Sequence, residues 1–157
     1  MPPSSHETDT LLEKLLHRDE GFRRSAYTDH LGFWTIGIGK LIDGRKGGGI
    51  TFSEALYLLR NEIREKEADL DAEIPWWRGL SEVRQAVLMS MAFQMGSAGL
   101  FNFRNTLRAV QEGRWSDAAD GMMASKWAFQ TPGRALRLAE AMRTNDPAEF
   151  RLDEEPA

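Results

Sequence analysis

The sequence predicts an α+β chain with a small sheet lobe near the N-terminus, joined by a long helix to a helical C-terminal lobe. Three observations carry this. Residues 33–38, FWTIGI, follow a turn at Gly32 and alternate aromatic and β-branched side chains in the manner of a strand. Leu56, Leu59, Ile63, Leu70 and Ile74 form a stripe at helical spacing that Pro75 ends. Residues 81–95 are apolar nearly all round, as a central buried helix is.

In chain order, Leu11, Leu12, Leu15 and Leu16 give an N-terminal helix one apolar side, and Glu20 closes it where Gly21 supplies the stop. The chain then turns into a hairpin, with Asp29 at the turn before Leu31 and Gly32. Thr51-Phe-Ser-Glu54 reads as a capping box that opens the long helix, whose roughly 21 residues span about 30 Å. Its other face is acidic and therefore wet. The methionines of 81–95 are core filler before they are anything else. Gly96 and Gly99 break that helix, another runs from near Asn102 to Glu112, and Gly113 stops it. Ser116 is expected to cap the next, Thr131-Pro132 to open one after that, and Asp146-Pro147 to repeat the device. The chain thus reads as one domain over 1–157, with a sheet lobe at 18–50, a connecting helix at 51–74 and a helical lobe at 75–157 on which 8–19 pack.

Composition narrows the function classes. At 157 residues and 41 % hydrophobic, the chain can bury a core of its own. It has no cysteine, so its fold is independent of the redox state around it. The opening MPPSSHETDT has no apolar stretch, and the run from Ala86 to Phe93 is far too short to span a bilayer; neither a signal peptide nor stable membrane association is expected. Three histidines make no metal-ligand cluster, and no nucleic-acid motif or phosphate loop is present; Gly37-Ile-Gly39 lies in a strand with no helix after it. The net charge of −4 is unevenly spread: 54–73 carry seven acids against three bases, and 104–143 carry seven bases against four acids. The second segment suits either a polyanion or an ordinary solvated surface.

The chemistry concentrates in EGFRRSAYTDHLGFWTIGIG, residues 20–39. Two acids nine apart among 24 would alone read as solvated charge. Here they come from a helix end and a hairpin turn, an arrangement suited to glycoside hydrolysis, where one carboxyl protonates the leaving oxygen and the other activates water. The string resembles the catalytic segment of phage-type lysozymes of the T-even kind, glycoside hydrolase family 24: a Glu, an Asp nine residues on, and a Thr six beyond that, inside G-x-x-T-I-G-x-G. The resemblance continues through VRQAVLMSMAFQMG (83–96), NFRNTLR (102–108) and RWSDAADGMMASKWAFQTPGRA (114–135).

That resemblance implies a lysozyme-like two-lobe fold and an endolysin. Such an enzyme is a muramidase cutting the β-1,4 bond between N-acetylmuramic acid and N-acetylglucosamine in bacterial peptidoglycan. It needs no cofactor or metal. It implies Glu20 as general acid, Asp29 orienting water and Thr35 holding that water, with inversion and carboxyls roughly 6.5–9.5 Å apart. As a strand former, Thr35 also suits a purely structural place. Sugar contacts carry over to Leu41, Phe93, Gln94 and Thr106; Phe93 suits core and cleft equally, and Trp127 is expected mainly in the core. Arg134 is implied to pair with Glu20. Gly121 stands where the T-even type has an Asn that meets the sugar. Lys40 replaces the His that follows G-x-G, so a Lys40–Glu62 ion pair is expected instead. The shorter stretch from Lys40 to Thr51 resembles the lambdoid branch. A monomer acting in host lysis is implied, made in the cytoplasm and reaching the wall through a holin-type partner. The alternatives are a lytic transglycosylase, which needs no water-positioning Asp, and a non-catalytic wall-binding module.

Overall fold

The computed structural model describes residues 5–28, 31–37, 40–42, 44 and 49–154, without the side chains of 5–10 and 19–20. It divides into two compact units, 1–59 and 60–157, with the dividing point inside one long helix.

In the first unit, α1 (Ser5–Glu20) ends at Gly21, whose φ of 72° is a left-handed conformation that glycine adopts without strain; its N–H returns to the His17 carbonyl at 3.0 Å. Three strands follow: β1 (Arg23–Thr28), β2 (Trp34–Gly37) and β3 (Lys40–Leu41). Among the described residues they form one antiparallel sheet in the order β1-β2-β3. The register sets Tyr27 opposite Thr35 and Thr35 opposite Leu41, so Thr35 sits on the central strand. Helix α2 (Phe52–Glu73) starts at the capping box read from the sequence. Glu54 N–H donates to Thr51 Oγ1 at 3.2 Å and Thr51 N–H donates to Glu54 Oε2 at 3.0 Å. The other oxygen of Glu54 takes the Lys40 ammonium at 2.5 Å. Lys40 is therefore paired with Glu54 and not with the Glu62 expected from the sequence: the carboxylate already fixed at the helix start is the one the strand end meets.

The second unit begins in α2. Leu70 and Ile74 bury the end of the expected stripe, and a 3₁₀ turn over Pro75–Gly79 inserts Trp77, 1 % exposed. Asp71 holds that turn, accepting from Trp77 Nε1 at 2.8 Å and from Arg78 at 2.8 and 3.0 Å. Then come α3 (Glu82–Met95), α4 (Ser97–Phe101), α5 (Arg104–Gln111), α6 (Trp115–Met123), α7 (Lys126–Gln130) and α8 (Pro132–Thr144), closed by a 3₁₀ turn at Pro147–Phe150. Val87, Leu88 and Met91 of α3 lie in the core with Leu100, Val110, Met122 and Met142, while α6 packs on both α5 and α8. Of the methionines of 81–95, Met91 is fully buried and Met89 and Met95 pack partly buried against the core, in agreement with their reading as filler.

Two expected caps are corrected. Ser116 lies inside α6, whose N-cap is Arg114 with no side-chain cap; Arg114 instead bridges Glu112 and Asp117 at 2.7 and 2.8 Å. Thr131 precedes Pro132 as expected, but its hydroxyl donates backward to the Trp127 carbonyl at 3.1 Å, the same oxygen that accepts the Thr131 N–H at 2.9 Å, so that one acceptor in the last turn of α7 takes both donors of Thr131. Asp146 does cap, accepting from Ala148 N–H at 2.9 Å.

The anchored carboxylates make stability pH-dependent. The Lys40 ammonium, with the Thr51 N–H, holds Glu54 below its usual range. Arg78 first, and Trp77 second, hold Asp71 below its own. A carboxyl whose folded pKa is depressed contributes stability above its unfolded pKa, near 4, and loses it as pH falls through the folded value. The melting temperature is therefore expected to drop as pH falls from about 4.5 toward 2. Asp71→Asn should flatten part of that slope, whereas an unchanged slope would contradict the assignment.

Candidate active site

Glu20 is the last residue of α1, and its side chain lies outside the described ones; Asp29 lies outside the described residues altogether. Their separation and the expected Glu20–Arg134 pair fall there too. Thr35 is 5 % exposed in the central strand, and its hydroxyl donates to the Phe33 carbonyl at 3.3 Å. That long bond is a weak tether, and the oxygen keeps its acceptor lone pairs. Leu41 faces Thr35 across the β2–β3 ladder and is half exposed. Thr35 and Leu41 are thus brought together by register alone.

In the second unit, Phe93 and Gln94 close α3 one after the other. Phe93 is 39 % exposed, which leaves its ring available to a ligand. Gln94 is oriented: its Oε1 accepts from Trp127 Nε1 at 2.8 Å, which leaves the amide N–H₂ as a donor. Trp127, buried at 7 %, packs edge-on to Phe103 with centroids 6.2 Å apart. It is a core residue, as read from the sequence, and also the group that fixes Gln94. One turn before Gln94, Ser90 receives Arg134, whose Nη2 donates to Ser90 Oγ at 2.9 Å and to its carbonyl at 3.3 Å. Ser90, Gln94, Trp127 and Arg134 therefore form one polar seam joining α3, α7 and α8. The roles of Ser90 and Trp127 in that seam carried no signal in the sequence, since hydrogen bonds across 44 and 33 residues leave no local pattern.

Thr106 lies apart from that seam, 7 % exposed on α5 against α6. A Cβ built on Gly121 would stand 2.4 Å from Thr106 Oγ1. The glycine is what admits the threonine. Gly→Ala inside a helix normally gains about 1 kcal/mol, but an overlap of this kind costs about 1–3 kcal/mol. Gly121→Ala is therefore expected to destabilise the wild type. In a Thr106→Ala background the same change should stabilise. Thermal melts of the four chains check the change of sign.

The comparisons with known proteins bear on these same residues. The family described as phage lysozyme matches residues 17–143, a span that includes all eight site residues from Glu20 to Arg134. The chain is 31 % identical, over 92 % of its length, to the pre-baseplate central spike protein Gp5 of Enterobacteria phage T4, of which it spans 29 %. It is 26 % identical to the probable T4-type lysozyme 1 of Dictyostelium discoideum, covering 85 % of this chain and 94 % of that protein. An endolysin of Acyrthosiphon pisum secondary endosymbiont phage 1 is 30 % identical over 72 % of this chain and 74 % of its own.

Proposed function

The chain belongs to the phage lysozyme family of glycoside hydrolases, and on that premise we propose that it hydrolyses the β-1,4 bond between N-acetylmuramic acid and N-acetylglucosamine in bacterial peptidoglycan. Glu20 protonates the glycosidic oxygen as the general acid. Asp29 draws a proton from a water on the opposite face of the sugar, and Thr35 positions that water. The observation that carries the reading is the Glu20, Asp29, Thr35 spacing inside the matched span, with Thr35 on the central strand. Displacement by water in one step inverts the anomeric carbon. Leu41, Phe93, Gln94 and Thr106 contact the sugar chain, with Gln94 donating from its amide; Arg134 supports Glu20. The enzyme acts as a monomer in lysis of a phage host and reaches the wall once a holin-type protein has opened the membrane. Among the described residues, no helix is long and apolar enough to cross a membrane by itself.

Mass spectrometry of digested peptidoglycan is the test. Hydrolysis leaves hydrated reducing ends, 18 mass units heavier per cut than the 1,6-anhydro ends of a lytic transglycosylase, and intact glycan would indicate a binding module. A second reading, a wall-cutting domain carried on a phage particle, is favoured by the match within 29 % of the spike protein. Recovery of the chain in purified particles would favour that reading, and its confinement to the lysate would favour the first.

A further inference from the structure

A groove of about 470 Å³ opens within the second unit, between the turn that ends α2 and the α4–α5 corner. None of Thr35, Leu41, Phe93, Gln94, Thr106 or Arg134 lines it. Its walls are Trp76 and Phe101, both partly buried, and its polar groups are Asn102, Arg104, Arg108 and Gln111. The sequence builds it simply. Trp77 points into the core and is fixed by Asp71, so its neighbour Trp76 lies on the other side of the 3₁₀ turn. Arg104, Arg108 and Gln111 follow at helical spacing along one face of α5.

Two features of this groove leave its polar groups available to a ligand. In the same unit Arg78, Arg114, Arg143 and Arg151 are spent on carboxylates, and Arg84 on the carbonyls of Met142 and Arg143. Arg104 and Arg108, one turn apart, make no ion pair or hydrogen bond among the described residues. Likewise Trp77 and Trp127 donate their indole N–H to Asp71 and Gln94, whereas the Trp76 N–H has no protein acceptor there. An aromatic wall suits the apolar face of a sugar ring or an acetyl methyl. Two guanidinium groups suit a carboxylate, each able to grip it with paired N–H donors. Asn102 and Gln111 add amide donors and acceptors, and Glu73 at the rim accepts from hydroxyls. The volume lies within the range of small-molecule sites.

We propose that this groove is a second glycan-binding site, which takes a carboxylate-bearing N-acetylated sugar of the wall and holds the enzyme on its polymer. The proposal rests on the peptidoglycan reading above, and its sugar is the residue of that polymer that carries an acid. It also gives a use to two of the seven bases of 104–143, Arg104 and Arg108, which the catalytic assignment leaves out.

Titration of the isotope-labelled full chain with N-acetylmuramic acid, followed by NMR, tests it. The expected result is saturable shifts at the Trp76 indole and the side chains of Arg104, Arg108 and Gln111. Arg104→Gln/Arg108→Gln should weaken that binding about tenfold or more. Trp76→Ala should weaken it independently of charge. N-acetylglucosamine, which lacks the carboxylate, should bind at least tenfold more weakly. A free stem tetrapeptide, which has carboxylates but no sugar, should not shift these signals. Equal binding of the neutral sugar, shifts from the peptide alone, or no shifts at these residues would each overturn the proposal. Release of reducing ends from small soluble glycan fragments should be unchanged in the arginine variant, while its retention on insoluble walls falls. A wild-type chain that cuts no glycan would remove the lysozyme reading itself, a result distinct from loss of the groove.

Discussion

Purified Glu20→Gln is expected to clear a suspension of bacterial walls about a hundred- to ten-thousand-fold more slowly than the wild type, the range that a positioned proton donor supplies. The amide keeps the size and most of the hydrogen bonding of the acid, so the melting temperature should stay close to that of the parent. What it lacks is a proton acidic enough to pass to a leaving alkoxide. Asp29→Asn should be nearly as slow, because an amide cannot take a proton from water. Turbidity loss at the parental rate in either variant would remove that residue from the chemistry. A parallel loss of melting temperature would instead assign it to the fold.

The largest effect on stability is expected at Trp77→Ala. The ring is 1 % exposed and its N–H is held by Asp71, so truncation opens a cavity and leaves a carboxylate oxygen short of a donor. Deletions of this size cost about 3–5 kcal/mol, a large share of a domain's total of about 5–15 kcal/mol. For a chain of this length that is a fall of roughly 6–20 °C in melting temperature. Trp77→Phe, which keeps much of the ring and loses the N–H, should fall between the two. An alanine variant melting within about 2 °C of the parent would contradict the place given to Trp77 in the core.

What the sequence made legible was local. Gly21 stops its helix, Thr51 and Glu54 form their reciprocal cap, and Pro75 ends the stripe, because each rests on two or three neighbouring residues. The helices α4 and α7 were not foreseen: five residues each give too short a run for helical periodicity to register. Thr131 shows how a correct residue can take another role, its hydroxyl turning back to the Trp127 carbonyl once α7 exists. Lys40 found Glu54 and not Glu62 for a similar reason, since strand register, and not chain spacing, decides which turn of α2 its ammonium meets. At the candidate site, the residues and their roles were expectations drawn from the family resemblance. The seam that orients Gln94 was not legible, because Trp127 and Arg134 reach it from helices far along the chain.

The central claim is a single displacement by water at the anomeric carbon. Proton NMR of the first products from a soluble peptidoglycan oligomer, recorded before mutarotation, reads it directly. Cleavage of a β bond with inversion places the new reducing N-acetylmuramic acid in the α configuration, so the α-anomer signal should grow first and the β signal only later. A β-anomer appearing first would mean a covalent intermediate and retention, and would contradict the roles given to Asp29 and Thr35.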